Sequence, residues 1–204
     1  MKNAQRITSS FLGVYAGLLA CQHGIFEILQ GPRVPDGLMI RAIGAPCQPE
    51  TAWNACYPAM TLIPNLRISG IIAVIAGLSM LVWAAAFVQR KHAGLILALL
   101  SLSILLVGGG YVPPYTGVVA SVTASYPRAT VKTLGTGLRW LAYLWPWTLL
   151  LIAVWFPGSW LLEYLFSQTM LMLSGFLFLF FSIGLPVLAA FSGHFHDRCE
   201  YPRA

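Results

Sequence analysis

Two long uncharged apolar stretches constrain this chain more than any other feature of its sequence. One reads ISGIIAVIAGLSMLVWAAAFV over residues 68–88, and the other reads AGLILALLSLSILLVGGGYV over residues 93–112. Each is about as long as an α-helix must be to cross the ~30 Å hydrocarbon core of a bilayer, where a helix satisfies its own backbone hydrogen bonds. Because only the residues QRKH separate the two stretches, the sequence predicts an antiparallel helical hairpin in the membrane.

The composition of the whole chain excludes a water-soluble globule. Charged residues make up 9% and hydrophobic residues 58% of the 204 residues, and the mean hydropathy is +0.75. Soluble domains carry about 25% charged residues. We therefore expect a single transmembrane domain over residues 1–204, of the all-α class, with the lipid bilayer as its main partner. The 12 basic residues are dispersed, which argues against nucleic acid as a partner.

Three further apolar segments bring the predicted number of transmembrane helices to five, with approximate bounds 8–30, 68–88, 93–112, 139–156 and 166–191. Residues 115–138 contain, directly after Tyr115, the small-residue run TGVVASVTAS, which favours a re-entrant or interfacial turn; if this segment crosses the membrane, the number of helices is six. The connection over residues 31–67 holds six prolines and predicts an irregular cap between helices 1 and 2. A cleaved leader ending near Cys21 is the alternative for the first helix.

The orientation of a five-helix bundle follows from its basic residues and cysteines. Basic residues are denser around the amino terminus and the QRKH turn, although a raw count, four against eight, favours the opposite side. Cys47 and Cys56 lie in the Pro-rich connection, at a separation that suits a disulfide in an oxidising compartment. Two unpaired thiols are the alternative. We expect a plasma-membrane protein with a cytoplasmic amino terminus.

A polar stripe marks the end of the first helix. His23, Glu27 and Gln30 are spaced i, i+4 and i+7, which places them on one helix face. The same face carries Ala16 and Ala20, small residues that let another helix approach closely. Ionisable residues inside a membrane helix usually mark a site or a buried pair, so these three are the candidate ligand- or ion-binding residues. The alternative is a Glu27 side chain that simply reaches the lipid headgroups.

The carboxy-terminal tail supplies a second group of polar residues. His194, His196 and Asp197 follow the last predicted helix and, in a five-helix bundle, emerge on the same side as Glu27. Two imidazoles and a carboxylate are suitable ligands for zinc or another divalent metal, with His23 and Glu27 to complete the site. The alternative is a hydrated tail that leaves the membrane.

Three consecutive glycines, residues 108–110, precede the residues YVPP. Glycines followed by prolines are typical of a helix end, and we expect the third helix to stop here. Backbone exposed to a ligand is the alternative.

The function that this sequence favours is the binding or transport of a small molecule, an ion or a lipid headgroup at the polar end of helix 1. A non-catalytic membrane subunit or assembly factor is the first alternative, with a homo-oligomer or another membrane protein as its partner. An intramembrane metal-dependent enzyme is the second. No catalytic motif is evident, so an enzyme is the less favoured class, and the sequence names no cofactor.

Overall fold

The computed structural model describes residues 3–41, 58–125 and 136–199. Within these ranges the chain forms the following α-helices: α1 (Asn3–Leu29), α2 (Leu66–Ala86), α3 (Ala93–Leu106), α4 (Val112–Ser125), α5 (Thr136–Tyr143), α6 (Trp147–Leu177) and α7 (Leu185–Cys199). A π-helical segment, Phe178–Gly184, joins α6 to α7, and two short strands, β1 (Met39–Arg41) and β2 (Pro58–Met60), pair in antiparallel orientation. The predicted disulfide residues Cys47 and Cys56 lie outside the described residues.

Several of these helices are suited to a membrane. Ala4–Leu29, Leu66–Ala86 and Gly175–Cys199 are long and apolar enough to cross a bilayer, and Ala93–Leu106 and Trp147–Leu162 are shorter apolar helices. The chain is therefore a mostly helical, membrane-embedded protein, as its composition predicts. The strand pair is a small departure from the irregular cap that the prolines predict.

Helix α1 lies at the centre of the bundle and packs against α2, α4 and α7. Its contact with α2 is close because glycines of the two helices meet. A Cβ atom on Gly17 would lie 2.6 Å from the carbonyl oxygen of Gly77, and one on Gly24 would lie 2.6 Å from that of Gly70. Small residues at such crossings let two membrane helices pack backbone against backbone. We refer below to the Arg6 end of the bundle, where α1 begins, and the Glu27 end, where α1 ends.

Residues 112–125 form the regular helix α4 instead of the predicted turn. Pro113 and Pro114 lie in its first turn, where a missing backbone N–H costs no helical hydrogen bond. Helix α4 runs antiparallel to α1, because a residue near the start of α1 contacts one in the second half of α4. The Ser9 hydroxyl donates to the carbonyl oxygen of Ala120 at 2.8 Å. The prolines therefore begin a helix that returns to the Arg6 end, whereas the sequence analysis takes them as the stop of the preceding one.

The end of α7 lies against the start of α1. Both oxygens of Asp197 accept hydrogen bonds there, from the backbone N–H groups of Ala4 and Gln5, each at 3.1 Å. The prediction that the tail emerges beside Glu27 is therefore wrong, since 22 residues of helix place the two carboxyl groups about 33 Å apart along α1. The physical reason is that α4, which was predicted as a turn, is a helix. It returns the chain to the Arg6 end, so the last helix ends there and not at the Glu27 end.

The later helices also differ in their bounds from the predicted segments 139–156 and 166–191. The predicted break around Pro157 is absent, because α6 continues through this proline; its backbone instead departs from helical geometry at Phe166 (φ −137°, ψ 45°). Beyond the π-helical segment, α7 extends through the residues that the sequence analysis treats as a tail.

The cap holds the end of α3 in place by strand-like pairing. Thr61 forms an antiparallel bridge with Val107, and the backbone N–H of Gly108 donates to the carbonyl oxygen of Met60 at 2.8 Å. The N–H of Leu62 donates to Leu106 at 3.0 Å in the same ladder. Residues 60–62 of the cap therefore hold residues 106–108, at the end of α3, beside the end of α1.

Candidate functional site

Glu27 is completely buried at the end of α1, with 0% of its surface exposed. The face that carries it turns toward α2 and toward the glycine segment after α3. A Cβ atom on Gly70 would come within 2.9 Å of the Glu27 Cβ atom, and one on Gly108 would overlap the carboxyl group itself. The alternative of a side chain that reaches the headgroups is therefore wrong for Glu27.

His23 lies one turn before Glu27 and faces the same glycine segment. A Cβ atom on Gly110 would lie 2.7 Å from its Nε2 atom. Gly108 and Gly110 adopt φ angles of +87° and +80°, in the left-handed region that glycine tolerates best. Only glycine therefore suits these positions, both for its backbone angle and for the space that the two side chains occupy.

A chain of hydroxyl groups borders the site on the α2 side. The Ser69 hydroxyl donates to the carbonyl oxygen of Val107 at 2.9 Å and contacts the Thr61 hydroxyl at 2.6 Å, and Thr61 Oγ1 in turn accepts from the N–H of Ile63 at 3.1 Å. A serine hydroxyl has one proton, so when Ser69 donates to Val107, Thr61 supplies the proton between the two hydroxyls. In this arrangement the hydroxyl protons of Ser69 and Thr61 both form hydrogen bonds within the group of Ser69, Thr61 and Val107.

The Glu27 carboxyl group is buried beside these hydroxyls. The Ser69 hydroxyl interacts with it, but the acceptor that Ser69 meets in hydrogen-bond geometry is the carbonyl oxygen of Val107. Within the described ranges, neither carboxyl oxygen of Glu27 has a hydrogen-bond partner, and neither does the buried Nδ1 atom of His23. Burying a polar group without a partner costs about 1–3 kcal/mol, and an unpaired charge costs more. We call Glu27, His23 and the groups that enclose them (Ser69, Gly108 and Gly110) the Glu27 site.

Gln30, the third residue of the predicted stripe, has a different environment. Its amide nitrogen donates to the carbonyl oxygen of Arg41 at 3.2 Å, in a contact exposed at the surface. Gln30 thus ties the end of α1 to β1, and the structure brings only His23 and Glu27 together in the interior.

The predicted metal ligands of the tail lie at the Arg6 end, away from Glu27. Asp197 caps α1, while His196 packs on the Trp145 ring at 4.6 Å between ring centres and has its Nδ1 atom 3.2 Å from the carbonyl oxygen of Ala142. His194 packs edge-on against the Phe195 ring. Among residues 3–41, 58–125 and 136–199, no group of three or more His, Cys, Asp or Glu side chains is placed to hold a metal ion.

The sequence analysis did not identify Ser69 as part of the site, or Thr61 as the hydroxyl next to it. The available signal was weak: Ser69 is a polar residue beside Gly70 at the start of a mostly apolar helix. Thr61 lies more than thirty residues along the chain from Glu27, and only the pairing of the cap with the end of α3 brings it near.

No protein family model, no curated protein and no solved structure matches this chain.

Proposed function

We propose that this protein binds a small cation at the Glu27 site and that Glu27 gives up a proton when it does so. The observation that carries the proposal is the fully buried Glu27 carboxyl group, whose oxygens have no hydrogen-bond partner among the residues that the structure describes. A carboxylate only accepts hydrogen bonds, and in a buried place it is stable when a cation or a proton neutralises it. The exchange balances: the acid form loses H⁺ and the carboxylate gains the cation.

The enclosure of the site supports a small ligand. Gly108 and Gly70 bring backbone directly against the carboxyl group and the base of its side chain, so little room is left beside them. The described arginines at this end of the bundle, Arg33, Arg41 and Arg67, are all exposed, so they do not take the place of the cation in the buried site.

A carrier needs polar groups beyond the binding site, and α4 provides one. Thr116 is completely buried, and among the described residues its hydroxyl oxygen has no hydrogen-bond partner. It lies in the first half of α4, after Gly110, which faces His23, and one turn before Ala120, which accepts from Ser9. These groups support a path from the Glu27 site toward the Arg6 end, and hence transport as the use of the site.

We also infer that the bundle crosses the membrane six times. Helix α2 returns from Ser69 at the Glu27 end to Val88, α3 runs forward to Val107, and α4 returns to the Arg6 end. Helix α6 begins at the Arg6 end, where α5 also lies, and α7 begins near the start of α4, where the Tyr115 hydroxyl donates to Ile183. Both described ends of the chain then share one side of the membrane.

The basic residues give this arrangement an orientation. The described basic residues at the Arg6 end number five, namely Arg6, Arg90, Lys91, Arg139 and Arg198. Three lie at the Glu27 end, namely Arg33, Arg41 and Arg67. Because cytoplasmic loops carry the excess of Lys and Arg, we propose a cytoplasmic Arg6 end in the plasma membrane and a Glu27 site nearer the outer surface.

The test of the proposed function uses dicyclohexylcarbodiimide, an apolar reagent that modifies protonated carboxyl groups. The full-length protein in detergent is treated with the reagent alone and with an excess of Li⁺, Na⁺, K⁺ or choline, and the adducts are located by mass spectrometry. We expect modification of Glu27 that at least one of the three small ions slows and choline does not. Asp36, which is exposed, serves as the control carboxyl group.

Two outcomes contradict the proposal. If none of the small ions slows the modification of Glu27, the site does not exchange a proton for these cations. If proteoliposomes of wild-type protein and of Glu27→Gln take up the protecting ion equally, Glu27 does not carry transport, and the subunit alternative becomes the better hypothesis.

A further inference from the structure

A groove lies between α1 and α2 at the Arg6 end, far from the Glu27 site. Its volume is about 460 Å³, within the range of about 300–1,000 Å³ that is typical of small-molecule sites. Five of its lining residues belong to α1, namely Arg6, Ile7, Ser10, Phe11 and Val14. Ala85, at the end of α2, and Val88, two residues beyond that helix, form the other wall.

The groove is polar at one end and apolar along its length. The five residues of α1 are spaced so that they share one helix face, and the helical rise from Arg6 to Val14 is about 12 Å. Arg6 and Ser10 lie toward the helix start, at the edge of the membrane, and Phe11 and Val14 lie deeper. This order matches the order of headgroup and acyl chain in a phospholipid.

The charge at the mouth of the groove is positive. Arg6 is exposed, and its guanidinium donates to the neutral side-chain oxygen of Gln89 at 2.9 Å. Arg90 and Lys91 follow Gln89 directly and are exposed as well. Among the described residues, the acidic side chain at this end is Asp197 of α7, which binds the first amides of α1, whereas Arg6 contacts Gln89, just beyond α2.

We propose that this groove binds an anionic phospholipid, with the phosphate on Arg6 and one acyl chain against the apolar wall. The proposal goes beyond the cation site and does not depend on it. A guanidinium binds phosphate with two parallel hydrogen bonds, and clustered basic residues beside a membrane helix attract anionic headgroups. The lipid thus supplies the negative charge that the described side chains around Arg6 do not.

Native mass spectrometry of the full-length protein in detergent tests the headgroup contact. Phosphatidylglycerol and phosphatidylcholine with the same acyl chains are titrated, and dissociation constants are compared. We expect wild-type protein to prefer phosphatidylglycerol, and Arg6→Gln to weaken its binding about tenfold, the usual effect of losing a hydrogen bond to a charged group. Arg33→Gln, an exposed arginine at the other end, should leave the constant unchanged.

A pair of neighbouring alanines tests the acyl-chain contact without changing any charge. Both are exposed, but Ala85 lines the groove and Ala86 does not. We expect Ala85→Phe to fill the groove and to weaken binding of phosphatidylglycerol severalfold, while Ala86→Phe does not. The proposal is overturned if wild-type protein binds both lipids equally, or if Arg6→Gln and Ala85→Phe both bind phosphatidylglycerol as wild type does.

Discussion

Two buried carboxyl groups of this protein have opposite surroundings. Asp197, 3% exposed, accepts two backbone hydrogen bonds, whereas Glu27, 0% exposed, accepts none among the described residues. The Asp197 carboxylate stabilises the fold, whereas burial of the Glu27 carboxyl group lowers its stability. Residues kept at such a cost are typical of functional sites, where activity is retained at the expense of stability.

We therefore expect Glu27→Met to stabilise the protein. Methionine has a similar length, is flexible enough to adapt beside Gly108, and removes the unpartnered polar group. The free energy of unfolding should rise by about 1–3 kcal/mol, because that is the typical cost of a buried unsatisfied group. Thermal unfolding in detergent, followed by tryptophan fluorescence, measures the change. A lower stability would show that Glu27 has a structural partner.

Gly108→Ala tests how tightly the glycine segment encloses the carboxyl group. The new Cβ atom meets two obstacles, a positive φ angle and the Glu27 carboxyl group. Gly31→Ala is the matched control, since Gly31 has a φ of +83° but nothing within 4 Å of the new atom.

The backbone strain should cost about 1–2 kcal/mol in both variants, and overpacking should cost Gly108→Ala about 1–3 kcal/mol more. The same unfolding assay compares them. Equal losses in the two variants would mean that the glycine segment does not press on Glu27.

The sequence was informative about Glu27 and His23 because their spacing alone places them on one face of a helix. It could not show that the carboxyl oxygens have no hydrogen-bond partner among the described residues. That property depends on where Ser69 and Thr61 send their protons, and this is decided by the pairing of the cap with Val107. Local periodicity carries no information on such long-range contacts.

At the scale of elements, the contact that closes the bundle joins its first and last helices. Asp197 of α7 accepts from the first turn of α1, where the backbone N–H groups have no partner within the helix. A negative charge at this place also favours the helix dipole. The side chain of one helix thus acts as the amino-terminal cap of another, nearly two hundred residues away in sequence.

We expect Asp197→Ala to lower the free energy of unfolding by about 1–3 kcal/mol, since the variant loses a charged cap and leaves two buried N–H groups without their acceptor. The exposed Asp36→Ala is the control for loss of an acidic residue and should change stability by less than about 0.5 kcal/mol. Hydrogen exchange of the Ala4 and Gln5 amides provides the specific readout. If these amides remain as protected in Asp197→Ala as in wild type, the cap does not hold α1.

Helix α4 shows why the number of helices was harder to predict than the class of fold. Its sequence is rich in small and hydroxyl residues, so its hydropathy is modest and its length short. Such residues suit a helix that is surrounded by protein: Ser121 donates to Gly94 of α3, and Ser9 of α1 donates to Ala120. Scales of lipid transfer detect helices that face lipid, and they therefore identified α2 and α3 more readily than α4.

At the scale of the whole molecule, the direction of α4 decides where the two described ends of the chain lie. With α4 as a crossing helix, Lys91 and Ser125 share the Arg6 end, and Gly37 lies at the Glu27 end. With α4 as an interfacial turn, Ser125 belongs with Gly37. All three residues are exposed, so their accessibility to a reagent reports the side of the membrane directly.

We expect single cysteines at Lys91 and Ser125 to behave alike and a cysteine at Gly37 to behave differently. Each is introduced into a chain whose four native cysteines are replaced by serine, and intact cells are treated with a membrane-impermeant maleimide before and after lysis. Because the Arg6 end carries the larger share of the described basic residues, Gly37→Cys should react in intact cells, and Lys91→Cys and Ser125→Cys only after lysis. Labelling of Ser125→Cys together with Gly37→Cys would contradict six crossings, whereas full reversal of the pattern would contradict only the orientation.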